Sequence, residues 1–176
     1  ASRQRKNGSM KFWIKTAVLA CTVVVIGCSP VAADTGGKSA ARPAASAPAT
    51  HPVSGLPVVT LTVTGAKGPH AFRVEVARTS EEQAQGLMFR TAMGADEGMI
   101  FPMNPPRDAA FWMKNTVIPL DIIFIGPDRR ILNIAANAVP YDLTSLPSDG
   151  IAAGVLELNG GRAAELGIKP GDKVEW

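Results

Sequence analysis

Cysteine is almost absent from this chain, and its two copies, Cys21 and Cys28, both lie within the first 28 residues. The rest of the chain therefore has no disulfide framework, no thiol nucleophile and no zinc site built on cysteine. Common catalytic motifs are missing as well, since there is no nucleophile elbow, phosphate-binding glycine loop or HExxH. Histidine is nearly as scarce, and we expect both His51 and His70 to be exposed, in a polar segment and at a turn respectively.

The chain also lacks an excess of positive charge once its first 27 residues are set aside. Its formal net charge is +3, from 18 basic and 15 acidic residues. Five basic residues and no acidic ones lie in residues 1–27, so 13 basic and 15 acidic residues remain. This slightly acidic remainder argues against nucleic acid as a partner, because such binding relies on clustered positive charge.

The apolar run at residues 17–27 is too short to span a bilayer, since it has 11 residues where a membrane helix needs roughly 20. It follows a basic segment and precedes small residues, which is the layout of a secretory signal. Residues 25–28 (Val-Ile-Gly-Cys) resemble the bacterial lipobox, which implies acylation of Cys28 and a periplasm-facing lipoprotein anchored in the outer membrane. The alternative is ordinary cleavage after residue 33, which would release a soluble periplasmic or secreted protein.

Residues 29–55 contain almost no large apolar side chains and consist mainly of Ala, Pro, Ser, Thr and Gly. Such a segment cannot bury enough surface to offset the entropy lost on folding, so we expect a disordered tether. The composition changes at Leu56, and residues 56–176 have the length of one domain with a single core. The predicted organisation is a signal peptide at 1–28, a tether at 29–55 and one domain at 56–176.

Within the domain, short segments rich in β-branched residues alternate with turn signals. The predicted strands are residues 56–65, 71–77, 99–102, 109–113, 120–126, 130–136 and 151–158, with a closing strand that ends at residue 176. The first two are expected to form a hairpin. A capping-box pattern at Thr79 and Glu82 predicts a helix at about 80–88, and a second is predicted at 161–166. This pattern favours a mainly β fold, a compact single-domain β-barrel or sandwich with one or two short helices.

Five of the six methionines lie within 26 residues, which suggests a copper site as one interpretation. Thioethers select Cu(I) in exported proteins. The spacing of Met88, Met93, Met99, Met103 and Met113 is irregular, however, and three of them lie among apolar core candidates. Packing in the core explains them better. We therefore expect no metal site and no cofactor.

Two carboxylates, Asp121 and Glu157, interrupt otherwise apolar strands. Both are costly to bury unless they are partnered. We predict that they converge with other polar groups, among them the Lys-Asn-Thr triplet at 114–116, at one end of the barrel. The candidate ligand-binding residues are Arg90, Trp112, Lys114, Asn115, Asp121, Glu157 and Asn159.

Several interpretations of this polar cluster remain open. It forms either a small pocket for a polar ligand, with Trp112 as an apolar wall, or a buried polar network that only specifies strand order. As an envelope hydrolase, the domain would use Asp121 and Glu157 as general acid and base beside a stabilising cation. As a scaffold or assembly protein, it would engage a partner through the tether and an exposed Trp112 or Trp176.

Six segments, taken in chain order, resemble one family of small bacterial and archaeal domains that are often exported. They read QGLMFR at 85–90, EGMIF at 97–101, FWMKNT at 111–116, IPLDIIF at 118–124, VLELNGG at 155–161 and GIKPGD at 167–172. In this order they resemble the DUF192 family, whose function is unassigned. The resemblance implies a compact β-rich fold, and because the family's function is unassigned it identifies no catalytic residue in this chain. The leading hypothesis is a non-catalytic, exported, lipid-anchored domain that binds a small polar ligand or an envelope component.

Overall fold

Nine strands and two short helices make up residues 49–176, the part of the chain that the computed structural model describes. In chain order they are β1 (Val58–Gly65), β2 (Gly68–Val76), α1 (Ser80–Gln85), β3 (Glu97–Arg107), β4 (Ala110–Phe111), β5 (Leu120–Ile125), β6 (Ile131–Ala138), β7 (Leu146–Pro147), β8 (Ala152–Asn159), α2 (Arg162–Leu166) and β9 (Lys173–Glu175). The prediction of a mainly β domain with two short helices is confirmed.

Seven of the strands form one mixed sheet in the order β6-β5-β8-β3-β2-β1-β9. Strands β1 and β2 pair as the predicted hairpin, and Gly68 supports its tight turn because it takes a φ of +100°. Strands β2 and β3 run parallel, with α1 in the crossover between them, whereas the other pairs in this sheet are antiparallel. Strands β4 and β7 form a separate two-stranded sheet, which the sequence pattern did not predict.

Apolar side chains lie on both faces of the large sheet, because alternate residues of a strand point to opposite sides. One cluster joins the face that carries Leu61 and Phe72 to helix α2 and strand β9. The other cluster covers the opposite face, where Met99 and Phe101 pack beneath Met113 and the segment after α1. Since both faces are covered, all six residues of β5 are buried.

The sheet does not close into a barrel, so the sandwich-like alternative is the correct one. Its edge strands are β6 and β9, and the residue just before β6, Arg130, forms an isolated bridge to Lys173 of β9. The pairing does not continue along β6, because in this antiparallel register the residues of β6 lie opposite the turn and the helix that precede β9.

Both helices lie where the sequence predicted them. At α1 the Thr79 hydroxyl accepts the N–H of Glu82 at 3.1 Å, and the Glu82 carboxylate accepts the N–H of Thr79 at 2.9 Å, which completes the capping box. Helix α1 ends three residues earlier than predicted because Gly86, at a φ of +47°, turns the chain away. Helix α2 ends at Gly167, which takes the left-handed conformation favoured at this position.

The folded domain begins before Leu56, where the sequence placed its boundary. Thr50 bridges to Pro57, and the N–H of Val58 donates to the carbonyl of Ala49 at 2.6 Å. Residues 49–55 therefore pack against the domain rather than belonging to the tether. The predicted signal peptide, Cys28 and most of the predicted tether lie outside the described residues.

Neither histidine is as exposed as predicted. The His51 side chain is 16% exposed and lies 3.6 Å from the Glu75 carboxylate. His70 is half-buried because β2 begins at Gly68, which places His70 within the strand rather than in the turn. Across residues 49–176, no helix combines the length and the apolar character needed to cross a membrane.

Candidate functional site

An open cleft of about 440 Å³ lies beside α1, between this helix and residues 107–116. Its base belongs to the second face of the sheet, the one that carries Met99 and Phe101. Aromatic and charged side chains both contribute to its walls. The aromatic ones are Phe101, Phe111 and Trp112, and the charged ones are Arg107, Asp108, Lys114 and Glu157.

Glu157 is the polar group at the base of this cleft. It lies in the middle of β8, directly between Met99 of β3 and Ile122 of β5, and both of these neighbours are fully buried. Glu157 itself is only 5% exposed, and its Oε2 atom has no hydrogen-bond partner among the described residues. Burial raises the pKa of the Glu157 carboxyl to about 8, because charging it in these apolar surroundings is costly. At neutral pH the Glu157 side chain is therefore a largely protonated carboxylic acid.

Trp112 and Lys114 line the same cleft closer to solvent. Trp112 is 52% exposed, and the Lys114 Nζ atom lies 5.4 Å from the centre of its ring, within range of a cation–π contact. The structure thus brings three of the seven predicted residues, Trp112, Lys114 and Glu157, to one cavity.

Three loops beside the cleft are held together by backbone hydrogen bonds. The N–H of Phe89 donates to Asn115, that of Tyr141 to Thr116 and that of Met113 to Asp142. Phe89, Asn115 and Tyr141 all have φ values between +55° and +64°, a region that residues other than glycine seldom adopt. Such strain persists only where the surroundings enforce it, and it concentrates at functional sites.

Asp121 does not reach the cleft, which corrects the prediction that the two carboxylates converge. It pairs across the strands with Leu158, and Glu157 pairs with Ile122, so Asp121 and Glu157 point to opposite faces of the sheet. The Asp121 side chain accepts the N–H groups of Asn137, Gly161 and Ala163 at 2.7, 2.9 and 2.7 Å. Its role is to join the start of α2 to the sheet.

Arg90 also lies away from Glu157. Its guanidinium binds the Glu75 carboxylate through two hydrogen bonds, at 2.8 and 3.0 Å. The Ser54 hydroxyl donates to the same carboxylate, and His51 lies 3.5 Å from Arg90. These four residues form what we call the Glu75 network. Glu75 was missed as a site candidate, although its position between Val74 and Val76 is the same signal that singled out Asp121 and Glu157.

The two predicted asparagines have structural contacts. The Asn159 side-chain amide donates to the carbonyls of Met93 and Gly94, at 3.2 and 2.9 Å, and so fastens the loop before β3. Asn115 contributes to the cleft indirectly, since its backbone carbonyl accepts the N–H of Phe89 at 2.8 Å and so holds a neighbouring loop in place. Neither amide is among the groups that line the cleft.

The methionines contribute mainly to packing. Met99, Met103 and Met113 are at most 6% exposed and belong to the apolar cluster beneath the cleft. Within the described part of the chain, no group of three or more histidines and carboxylates is arranged to hold a metal ion.

The sequence profile of one family, DUF192, described as "Uncharacterized ACR", matches residues 60–176. This match spans well over half of the chain. The chain belongs to the DUF192 family. The resemblance seen in the six sequence segments is thereby confirmed, and the fold described above is that of a DUF192 domain.

Two solved structures show the same fold. A protein of unknown function from Novosphingobium aromaticivorans DSM 12444 is 70% identical, with a TM-score of 0.73, over 75% of this chain and 94% of that protein. A protein from Sinorhizobium meliloti 1021, described as a candidate transcription regulator, is 41% identical, with a TM-score of 0.64, over 66% of this chain and 91% of its own. The comparison with curated proteins returned no significant match. In this DUF192 domain, the cleft above Glu157 is the candidate functional site.

Proposed function

We propose that the domain is a non-catalytic binding module that holds a small polar ligand in the cleft above Glu157. The observation that carries this proposal is a buried carboxyl with an unpartnered oxygen at the base of an open cavity. A polar atom left unpaired in the interior costs about 1–3 kcal/mol. A ligand that supplies the missing hydrogen bond would offset this cost.

The alternative of a purely structural polar network accounts for the other buried carboxylates of the strands, but not for Glu157. Asp121 is satisfied by three backbone N–H groups, and Glu75 is satisfied by Arg90 and Ser54. Glu157 has no such partner among the described residues. An apolar residue at this position would fill the gap between Met99 and Ile122 at a lower cost, so Glu157 is better explained by binding.

The hydrolase alternative requires Asp121 and Glu157 to act together on one substrate, and their positions do not allow this. An acid and a base must both reach the substrate, whereas Asp121 and Glu157 lie on opposite faces of the sheet.

Trp176, one of the two aromatic residues suggested for a scaffold role, packs against the core and is covered by Arg129 at 3.8 Å. Trp112 is exposed, but it also lines the cleft.

A Glu157→Leu variant tests the proposed function. Because the substitution removes an unsatisfied buried carboxyl, we expect the free energy of unfolding at pH 7 to rise by about 1–3 kcal/mol. We also expect it to abolish binding of small amines, acids and alcohols in a saturation-transfer NMR screen in which the original protein gives hits. Glu165→Leu, an exposed position on α2, is the matched control for both measurements. A destabilised Glu157→Leu domain, or one that retains every hit, would contradict the proposal.

The proposal extends to location, where the support is the sequence of residues 1–33. The basic segment, the apolar run and the lipobox-like end at Cys28 support a proposed location in the periplasm, with the domain held at the outer membrane by an acylated cysteine. Mass spectrometry of the mature protein should find an N-terminal peptide that begins at Cys28 and carries acyl chains, and Cys28→Ala should move the protein to the soluble fraction. An unmodified N-terminus at Asp34 would instead establish cleavage after residue 33.

A further inference from the structure

We infer that the ligand of the Glu157 cleft carries an organic ammonium group, which pairs with the Glu157 carboxylate while its hydrocarbon part packs on the aromatic wall. This inference rests on the proposed function and adds the chemical class of the ligand.

The Glu157 carboxyl at the base of the cleft has no oppositely charged partner among the described residues. Arg107, Asp108, Lys114 and Glu157 are the charged residues that line the cavity. None of the ion pairs among the described residues involves Glu157. The two cations have other contacts, since Arg107 lies 3.5 Å from the Gln83 side-chain oxygen and Lys114 lies over Trp112. Burial raises the pKa of Glu157, which is consistent with the absence of an ion pair to this carboxyl among the described residues.

The aromatic wall suits a cation with an apolar body. Phe101 and Phe111 contact each other edge to face, with ring centres 5.1 Å apart, and Trp112 continues the wall towards solvent. Ring faces attract ammonium groups, and this attraction is strongest where water is excluded. The position of Lys114 over Trp112 shows that an ammonium is accepted at this wall.

Binding of an ammonium would be coupled to the loss of one proton. In the empty cleft at neutral pH Glu157 is largely protonated, and the incoming cation favours the carboxylate, so the proton passes to the buffer. The affinity for a cation should therefore rise by up to about tenfold per pH unit below the pKa of Glu157 and level off above about pH 8. The affinity for a neutral ligand that accepts a hydrogen bond from the protonated acid would instead fall as the pH rises.

Isothermal titration calorimetry of the purified protein with three matched probes tests the inference. The probes are 2-phenylethylamine, 2-phenylethanol and 3-phenylpropionate, which share the aromatic body and differ in charge. We expect the amine to bind most tightly, to gain affinity between about pH 6 and 8 and to release about one proton at pH 7, measured in buffers of different ionisation enthalpy. Glu157→Gln should weaken amine binding at least about tenfold, whereas Glu165→Gln should leave it unchanged.

The possible failures of the inference and of the proposed function are distinguishable. If the alcohol or the acid binds more tightly than the amine and that binding is lost in Glu157→Gln, the ligand does not require an ammonium group. The inference is then overturned, while the proposed binding function stands. If the amine binds equally well to the original protein and to Glu157→Gln, the ion pair is refuted. If no probe binds at millimolar concentration and the wider screen also gives no hit, both proposals fail.

Discussion

At the scale of single residues, the buried carboxylates of the strands differ in what satisfies them. Glu75 has an arginine, Asp121 has three backbone N–H groups, and Glu157 has no partner among the described residues. A buried charge is stable only when it is paired or richly hydrogen-bonded, and otherwise the group becomes neutral. The raised pKa of Glu157 is the direct result of its burial without a partner.

The pKa of Glu157 predicts how stability depends on pH. Burial raises it from an ordinary value of 4.5 to about 8, so between these values the folded state holds a proton that the unfolded state has released. The free energy of unfolding should therefore fall as the pH rises through this window, with Glu157 contributing roughly 1 kcal/mol per pH unit. Urea unfolding at pH 5, 6, 7 and 8 should show a steeper loss for the original protein than for Glu157→Gln. Parallel curves would mean that Glu157 does not titrate in this range.

At the scale of secondary-structure elements, short segments depend on tertiary contacts for their stability. Helix α2 has five residues, and its N-cap residue is Gly161. Glycine has no side chain that could accept the first backbone N–H groups of the helix. Isolated helices of this length are unstable in water. Asp121 supplies the missing acceptor from β5, so the carboxylate that looked like a catalytic candidate stabilises a helix start.

Asp121→Asn should destabilise the domain. An amide has one oxygen in place of two and turns an NH₂ group towards backbone N–H donors, which leaves at least one of them unpaired. We expect a loss of about 2–3 kcal/mol in the free energy of unfolding, measured with urea at pH 7. Asp96→Asn, at a side chain that is 65% exposed and binds Arg162 at the surface, should cost less than about 1 kcal/mol. Equal effects of the two substitutions would contradict this role for Asp121.

At the scale of the whole molecule, the Glu75 network joins parts of the chain that are distant in sequence. His51 and Ser54 come from the first described segment, Glu75 from β2 and Arg90 from the loop after α1. The side chains of Arg90 and Glu75 are only 10% and 4% exposed, so their ion pair is largely shielded from solvent. The network thereby fixes the loop that carries Phe89 next to the cleft.

Arg90→Met should be strongly destabilising because it leaves the Glu75 charge buried without its main partner. Removing one member of such a pair costs about 3–5 kcal/mol. The double variant Arg90→Met with Glu75→Leu should recover much of this loss, since it removes both charges and retains apolar volume. Thermal unfolding of the two single variants, the double variant and the original protein gives a double-mutant cycle for this ion pair. A double variant as unstable as the sum of the single ones would show that the two residues act independently.

Local patterns were sufficient to predict most elements of this fold. The capping box at Thr79, the hairpin around Gly68 and the left-handed Gly167 depend on neighbours in sequence, so their chemistry is visible in the chain itself. The pairing of β4 with β7 was missed because it joins segments that are far apart in the chain. The end of α1 was missed although Gly86 is a local signal for a helix end.

The sequence by itself determined the family, the strand-rich architecture and the presence of carboxylates in apolar strands, because these follow from residue order and alternation. Only the tertiary structure decided which carboxylate faces the cavity. Asp121 and Glu157 look alike in sequence, yet adjacent strands in register turn them to opposite faces. One meets the N–H groups at the start of a helix, and the other meets an open cavity. That difference arises from strand pairing between distant segments, which local residue patterns do not encode.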